Sequence, residues 1–175
     1  IFGFLLFWSS CRQDFDFAPS TGSLEFSKDT VYLDTVFTNI GSSTYNLKVY
    51  NRSDNDISIP TIGLERGQTS NYRLNVDGNP GQIFNNVEIQ AKDSLFIFVE
   101  TTIDIEDQTL LDNEFLYTDR INFDAGSNLQ TVELVTLVKD AVFIYPDRDN
   151  TTGVIETLTL NIDGETVETE IQGRE

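Results

Sequence analysis

From residue 24 onward, apolar and polar side chains tend to alternate, the period of a strand that rests one face on a core. Leu24 and Phe26 flank Glu25, and residues 30–38 follow, dense in β-branched and aromatic side chains. A turn is expected at 39–43. Tyr45, Leu47 and Val49 then alternate with Asn46 and Lys48, and residues 51–56 are polar and turn-forming. Residues 57–64 form a short strand pattern interrupted by Pro60, which predicts an edge or a bend there. Tyr72, Leu74 and Val76 alternate with Arg73 and Asn75, and Asp77-Gly78-Asn79-Pro80-Gly81 is the strongest turn signal in the chain. A brief strand is predicted at 87–89. Residues 94–102 are apolar on both faces through Val99, as in a strand central to a packed sheet, and are read as the core of the domain. Residues 115–123 and 130–138 complete the series, joined by 124–128.

No stretch of twelve residues carries a helical period. Short strands with turns about every 8–12 residues predict an all-β sandwich or barrel, placed at 23–141. Beyond it, residues 146–153 read as a loop. Residues 154–162 and 166–171, joined by Asp163-Gly164, read as a hairpin. A lone hairpin is marginal in water, so residues 142–175 are expected to be a linker and the opening of a further domain.

The first eleven residues have a different character. Residues 1–8 are uncharged and apolar, too short to span a bilayer, and run into Ser9, Ser10 and the only cysteine, Cys11. This order resembles the end of a bacterial lipoprotein signal: an aliphatic residue, two small residues and a cysteine that becomes diacylated. Trp8 stands where leucine is usual. The chain starts at Ile1 with no basic leader, so it is expected to be clipped inside its signal at 1–10, with a tether at 11–22. The competing reading makes the run a first strand or helix and Cys11 a buried thiol. Cys11 is followed by Arg12, Gln13 and Asp14, unlike the apolar surroundings usual for a buried cysteine. Acylation also explains an unpaired cysteine in an exported chain.

The formal charge is −18, from 11 basic and 29 acidic residues. A surface of that sign disfavours nucleic acid, and the basic residues form no run in the sequence. Thirteen Phe and six Tyr make the chain too apolar to be a disordered acidic tract. Histidine is absent, and cysteine is absent after Cys11, which takes away the usual general base, zinc ligands and thiol nucleophile. No catalytic residue, metal site or cofactor is predicted.

Residues 24–26, 34–37, 47–53, 59–64, 72–74, 95–102 and 119–138 together resemble the immunoglobulin-like domains of the choice-of-anchor and MSP-like group. The resemblance spans about 24–141 and implies an immunoglobulin-like antiparallel β-sandwich. The Pro-rich stretch usual after the central strand is replaced by residues 103–107. Joined to the lipoprotein signal, the domain resembles the N-terminal part of Bacteroidetes envelope lipoproteins, some of which continue into a right-handed parallel β-helix.

Several clusters carry candidate chemistry. Asp54-Asn55-Asp56 and Asp147 to Asn150 gather oxygen ligands, but neither has the spacing of a calcium loop, and both read as turns. The acidic stretch 103–107 with Asp112 and Glu114 could pair carboxylates for glycoside chemistry, yet such clusters arise by chance in so acidic a chain. Thr30, Thr35 and Ser94 each follow an Asp and precede an apolar residue, resembling Bacteroidetes O-glycosylation sites, and all three are expected at strand starts. Asn51-Arg52-Ser53 and Asn150-Thr151-Thr152 match the eukaryotic glycosylation pattern, which a bacterial signal makes irrelevant.

The resulting expectation is a non-enzymatic outer-membrane lipoprotein of the cell envelope, held to the membrane by a lipid anchor at Cys11. Its sandwich would act as a spacer or interaction module with a protein or glycan partner. A carbohydrate-binding or adhesin module is the alternative, with Tyr32, Tyr50 and Phe96 as the aromatic candidates. Another is the accessory domain of a larger polysaccharide-acting enzyme.

Overall fold

The computed structural model describes residues 16–104, 116–139 and 147–155, and the backbone of strands Thr157–Ile162 and Glu165–Glu170. The apolar run, Cys11, Phe15, most of the acidic stretch 103–115 and the approach at 140–146 lie outside the described residues. Contacts divide the chain into Ile1–Asp140 and Ala141–Glu175.

The first unit is a sandwich of two sheets. One sheet contains β8 (Ile83–Ile89), β5 (Ile57–Leu64), β10 (Leu116–Phe123), β11 (Gln130–Lys139) and β3 (Thr30–Phe37), in that order. A two-residue β1 (Ala18–Pro19) lies parallel to the start of β5. The other sheet runs β2 (Glu25–Phe26), β4 (Tyr45–Tyr50), β9 (Ser94–Thr101), β6 (Tyr72–Val76) and β7 (Asn79–Gly81). Four strands, β2-β4-β9-β6, facing β5-β10-β11 is the immunoglobulin arrangement. Pairing is antiparallel except for β1 on β5 and β3 on β11. The second unit contains β12 (Thr157–Ile162) and β13 (Glu165–Glu170), an antiparallel hairpin closing at the pair Ile162 and Glu165.

Alternation fills the space between the sheets. Val31 and Leu33, Leu47 and Val49, Leu74 and Val76, Ile97 and Val99, and Val132 and Leu134 all point inward and are buried. The Asp77-Gly78 signal is a two-residue turn with both residues at positive φ, which matches strand twist and closes β6 onto β7.

Three local expectations change. Pro60 does not put β5 at an edge, since β8 pairs along one side and β1 and β10 share the other. Proline is tolerated because it falls between the residues bonded to β1 and those bonded to β10. Inward positions are Ile59, then Ile62 and Leu64, so the alternation slips by one across Pro60 and Thr61. Thr35 is inside β3, not at its start: a bulge after Leu33 leaves both Asp34 and Thr35 exposed before Val36 turns in. The segment expected as a tether joins the sheet from Ala18. Ala18 and Ser20 donate backbone bonds to the Asp56 and Ser58 carbonyls, and Ser20 is buried.

Candidate functional site

β9 is central in the second sheet, with β4 on one side and β6 on the other. Its inward residues Leu95, Ile97, Val99 and Thr101 are buried, but Phe96 and Phe98 remain 44% and 40% exposed on the outer face. The expectation that 94–99 is buried on both faces is therefore corrected. The run is continuous because its outward side also carries aromatic side chains, and no described layer covers them. Phe96 and Phe98 stack with centroids 6.1 Å apart and planes 15° from parallel.

Register places the rest of the face. Lys48 is the cross-strand partner of Phe96, and its Nζ is 5.0 Å from that ring centroid and 5.3 Å from the ring of Tyr50. The Arg52 guanidinium lies 4.2 Å from the Tyr50 ring centroid and also forks onto Glu25 at 2.9 and 3.2 Å. That pairing lowers the Glu25 carboxyl below its ordinary value, chiefly through the hydrogen bond. Asn46 and Asn75 flank Phe98 from β4 and β6. Asn75 Oδ1 is shielded from solvent with no hydrogen-bond partner among the described residues. Beyond it, Arg73 approaches Glu100 at 3.9 Å and donates to Thr102 Oγ1 at 3.1 Å, while Thr44 Oγ1 bonds Glu100 Oε1. Among the described residues Lys48 has no carboxylate partner, whereas Arg52 and Arg73 do.

The structure thus brings Tyr50 and Phe96 together. Tyr32, 70% exposed, lies on the opposite sheet, on β3. Phe98, Lys48 and Arg52 carry no signal of their own in the sequence. Pairing the alternation of 45–50 against that of 94–101 puts Lys48 beside Phe96, and that register was the missing information.

Of the remaining candidates, Ser94 borders this face as the cross-strand partner of Tyr50, and the others lie elsewhere. Thr30 begins β3 beside Glu133, and Ser94 begins β9, its N–H bonded to Asp93 Oδ1 at 2.7 Å. Thr35 borders a shallow hollow of about 160 Å³ with Ile40 and Tyr45. There the Tyr45 hydroxyl donates to Asp34 Oδ2 at 2.8 Å and accepts from the Asp34 N–H at 3.0 Å. The N–H opposes any rise in the phenol's pKa, but burial and the Asp34 carboxylate together hold it above its usual value.

Asp54 pairs with Lys92 at 3.0 Å, the Asn55 carbonyl accepts from Asn51 Nδ2 at 2.8 Å, and Asp56 Oδ1 accepts the Ala91 N–H at 2.8 Å. These oxygens hold the loop together. Asp149 Oδ1 accepts the N–H groups of Thr152 and Thr151 at 2.8 and 2.7 Å, which lowers its pKa and ties the turn. No group of three or more His, Cys, Asp or Glu fit to hold a metal occurs among the described residues. Of 103–107, Ile103 is buried and Asp104 exposed.

No family model matches the chain, and no curated protein does. Among solved structures it is similar to a protein of unknown function from Porphyromonas gingivalis W83. The TM-score is 0.46 at 8% identity, over 65% of this chain and 46% of that one. It is also similar to a family 123 glycoside hydrolase from Clostridium perfringens, with a TM-score of 0.42 at 11% identity, over 65% of this chain and 23% of that one. The chain therefore spans less than half the length of either.

Proposed function

We propose that this chain is a non-enzymatic, lipid-anchored protein of a bacterial cell envelope, held in the outer membrane through Cys11. Its sandwich serves as a spacer or interaction module. The observation that carries the interaction reading is the outer face of the second sheet, where Phe96 and Phe98 stack in the open beside Lys48 and Tyr50. Two adjacent half-exposed rings on the central strand, rimmed by polar and charged side chains, have the pattern of an interaction surface. The order of apolar run, Cys11, acidic segment and sandwich supports the anchor, as does the resemblance to Bacteroidetes envelope lipoproteins.

The test of the anchor is intact mass of the chain expressed in a bacterial host behind a complete export leader, with Cys11→Ser as control. A species starting at Cys11 with added acyl mass, absent from the control, is expected. A chain retaining residues 1–10 without modification overturns the anchor.

A further inference from the structure

Building on the reading of this face as the working surface, we propose that the outer face of the second sheet binds an acidic saccharide. A sugar ring packs on Phe96 and Phe98, and its carboxylate pairs with Lys48. Two half-exposed rings at alternate positions of one strand leave apolar ring surface to solvent, and aromatic surface of this kind packs against the C–H groups of a pyranose. Asn46, exposed opposite Phe98, offers both an amide donor and an acceptor, as neighbouring sugar hydroxyls require, whereas the Asn75 Oδ1 on the other flank is shielded.

The charge pattern selects an acidic sugar. Arg52 and Arg73 are already matched by Glu25 and Glu100, while Lys48 is held only against rings, so of these three cations it is the one left to meet an incoming carboxylate. The apolar part of the face is small, two half-exposed rings beside a half-buried Tyr50, which suits a sugar ring better than the larger apolar centre of a stable protein interface.

The test is native affinity electrophoresis of the Cys11→Ser chain in gels containing polygalacturonate, alginate or neutral dextran. Without an acyl chain, binding is read apart from the anchor, and failure here leaves the anchor to the mass measurement. Retardation by at least one acidic polymer and not by dextran is expected. Affinity falls on the order of tenfold in Phe98→Ala and in Lys48→Gln, and is kept in Phe98→Tyr and in Tyr32→Ala on the other sheet. Thermal melting shows that each variant is folded, and Phe98→Tyr keeps the stacking test open if the alanine variant does not fold. Retardation by no polymer overturns the proposal and leaves the face to a protein or a second copy. Binding that survives loss of both Phe96 and Phe98 in a folded variant overturns the stacking. Equal retention in dextran, or by Lys48→Gln, overturns the acidic class.

Discussion

Asn51 shows how much one side chain can organise. It is 2% exposed, and its Nδ2 donates to the carbonyls of Asn55, Ile89 and Gln90. Its Oδ1 accepts the N–H and hydroxyl of Ser53 at 3.0 and 2.7 Å. The loop after β4 is thereby tied to the end of β8 and the turn into β9, and the amide is too buried to be a modification site. Asn51→Ala strands buried carbonyls and is expected to cost about 2–3 kcal/mol, read as a lower urea midpoint with unchanged slope. A loss below about 0.5 kcal/mol would mean water replaces the amide. In the sequence Asn51 is one polar residue in a polar turn, since two of the carbonyls it ties, those of Ile89 and Gln90, lie nearly forty positions away.

At the scale of elements, the strands were legible wherever one face is buried, because period-two alternation reports burial directly. β4, β6, β10 and β11 follow their patterns closely. The pattern misled where burial and alternation part company. β9 is apolar on its exposed side, and β8 extends well ahead of residues 87–89 because Asn85 and Asn86 look like turn residues, Asn86 having φ of 53°. The connection from β5 to β6 was not legible either. It is held by Asp119 of β10, 4% exposed, whose carboxylate accepts the N–H groups of Arg66 and Arg120 and the hydroxyl of Ser70. Tyr117 reinforces it, its hydroxyl accepting the Asn71 N–H at 2.8 Å. Nearby, the Tyr72 hydroxyl donates to the Tyr117 carbonyl, and burial raises that phenol's pKa strongly. Asp119→Ala leaves three donors unsatisfied and is expected to destabilise the sandwich by about 2–4 kcal/mol in denaturant titrations. Asp119→Asn, which keeps an acceptor for the two N–H groups, should cost clearly less. Equal losses would show that the negative charge, not the bonding, holds the corner.

For the whole molecule the dominant fact is a charge of −18 on 175 residues, most of it without a basic partner to match. Described ion pairs such as Arg120 with Glu133 at 2.7 Å and Glu65 at 3.5 Å are exposed, and surface pairs of this kind contribute little each. The unpaired remainder repels itself, and folding concentrates it, so the native state carries an electrostatic cost that the unfolded chain partly escapes. Salt acts on that cost more than on the buried core. The screening length falls from about 30 Å at 0.01 M to about 3 Å at 1 M, which removes repulsion between separated carboxylates. The melting temperature is therefore expected to rise by about 2–5 °C between 10 mM and 500 mM NaCl, the shift of roughly 1 kcal/mol for a domain of this size. Saccharide binding should move the opposite way over the same range, since screening weakens a carboxylate on Lys48. Calorimetric melts and affinity gels run across one salt series read both effects. A melting temperature that is flat or falling with NaCl would mean that attractive pairs outweigh the repulsion, and the acidic surface would then need a role other than the one its net charge imposes.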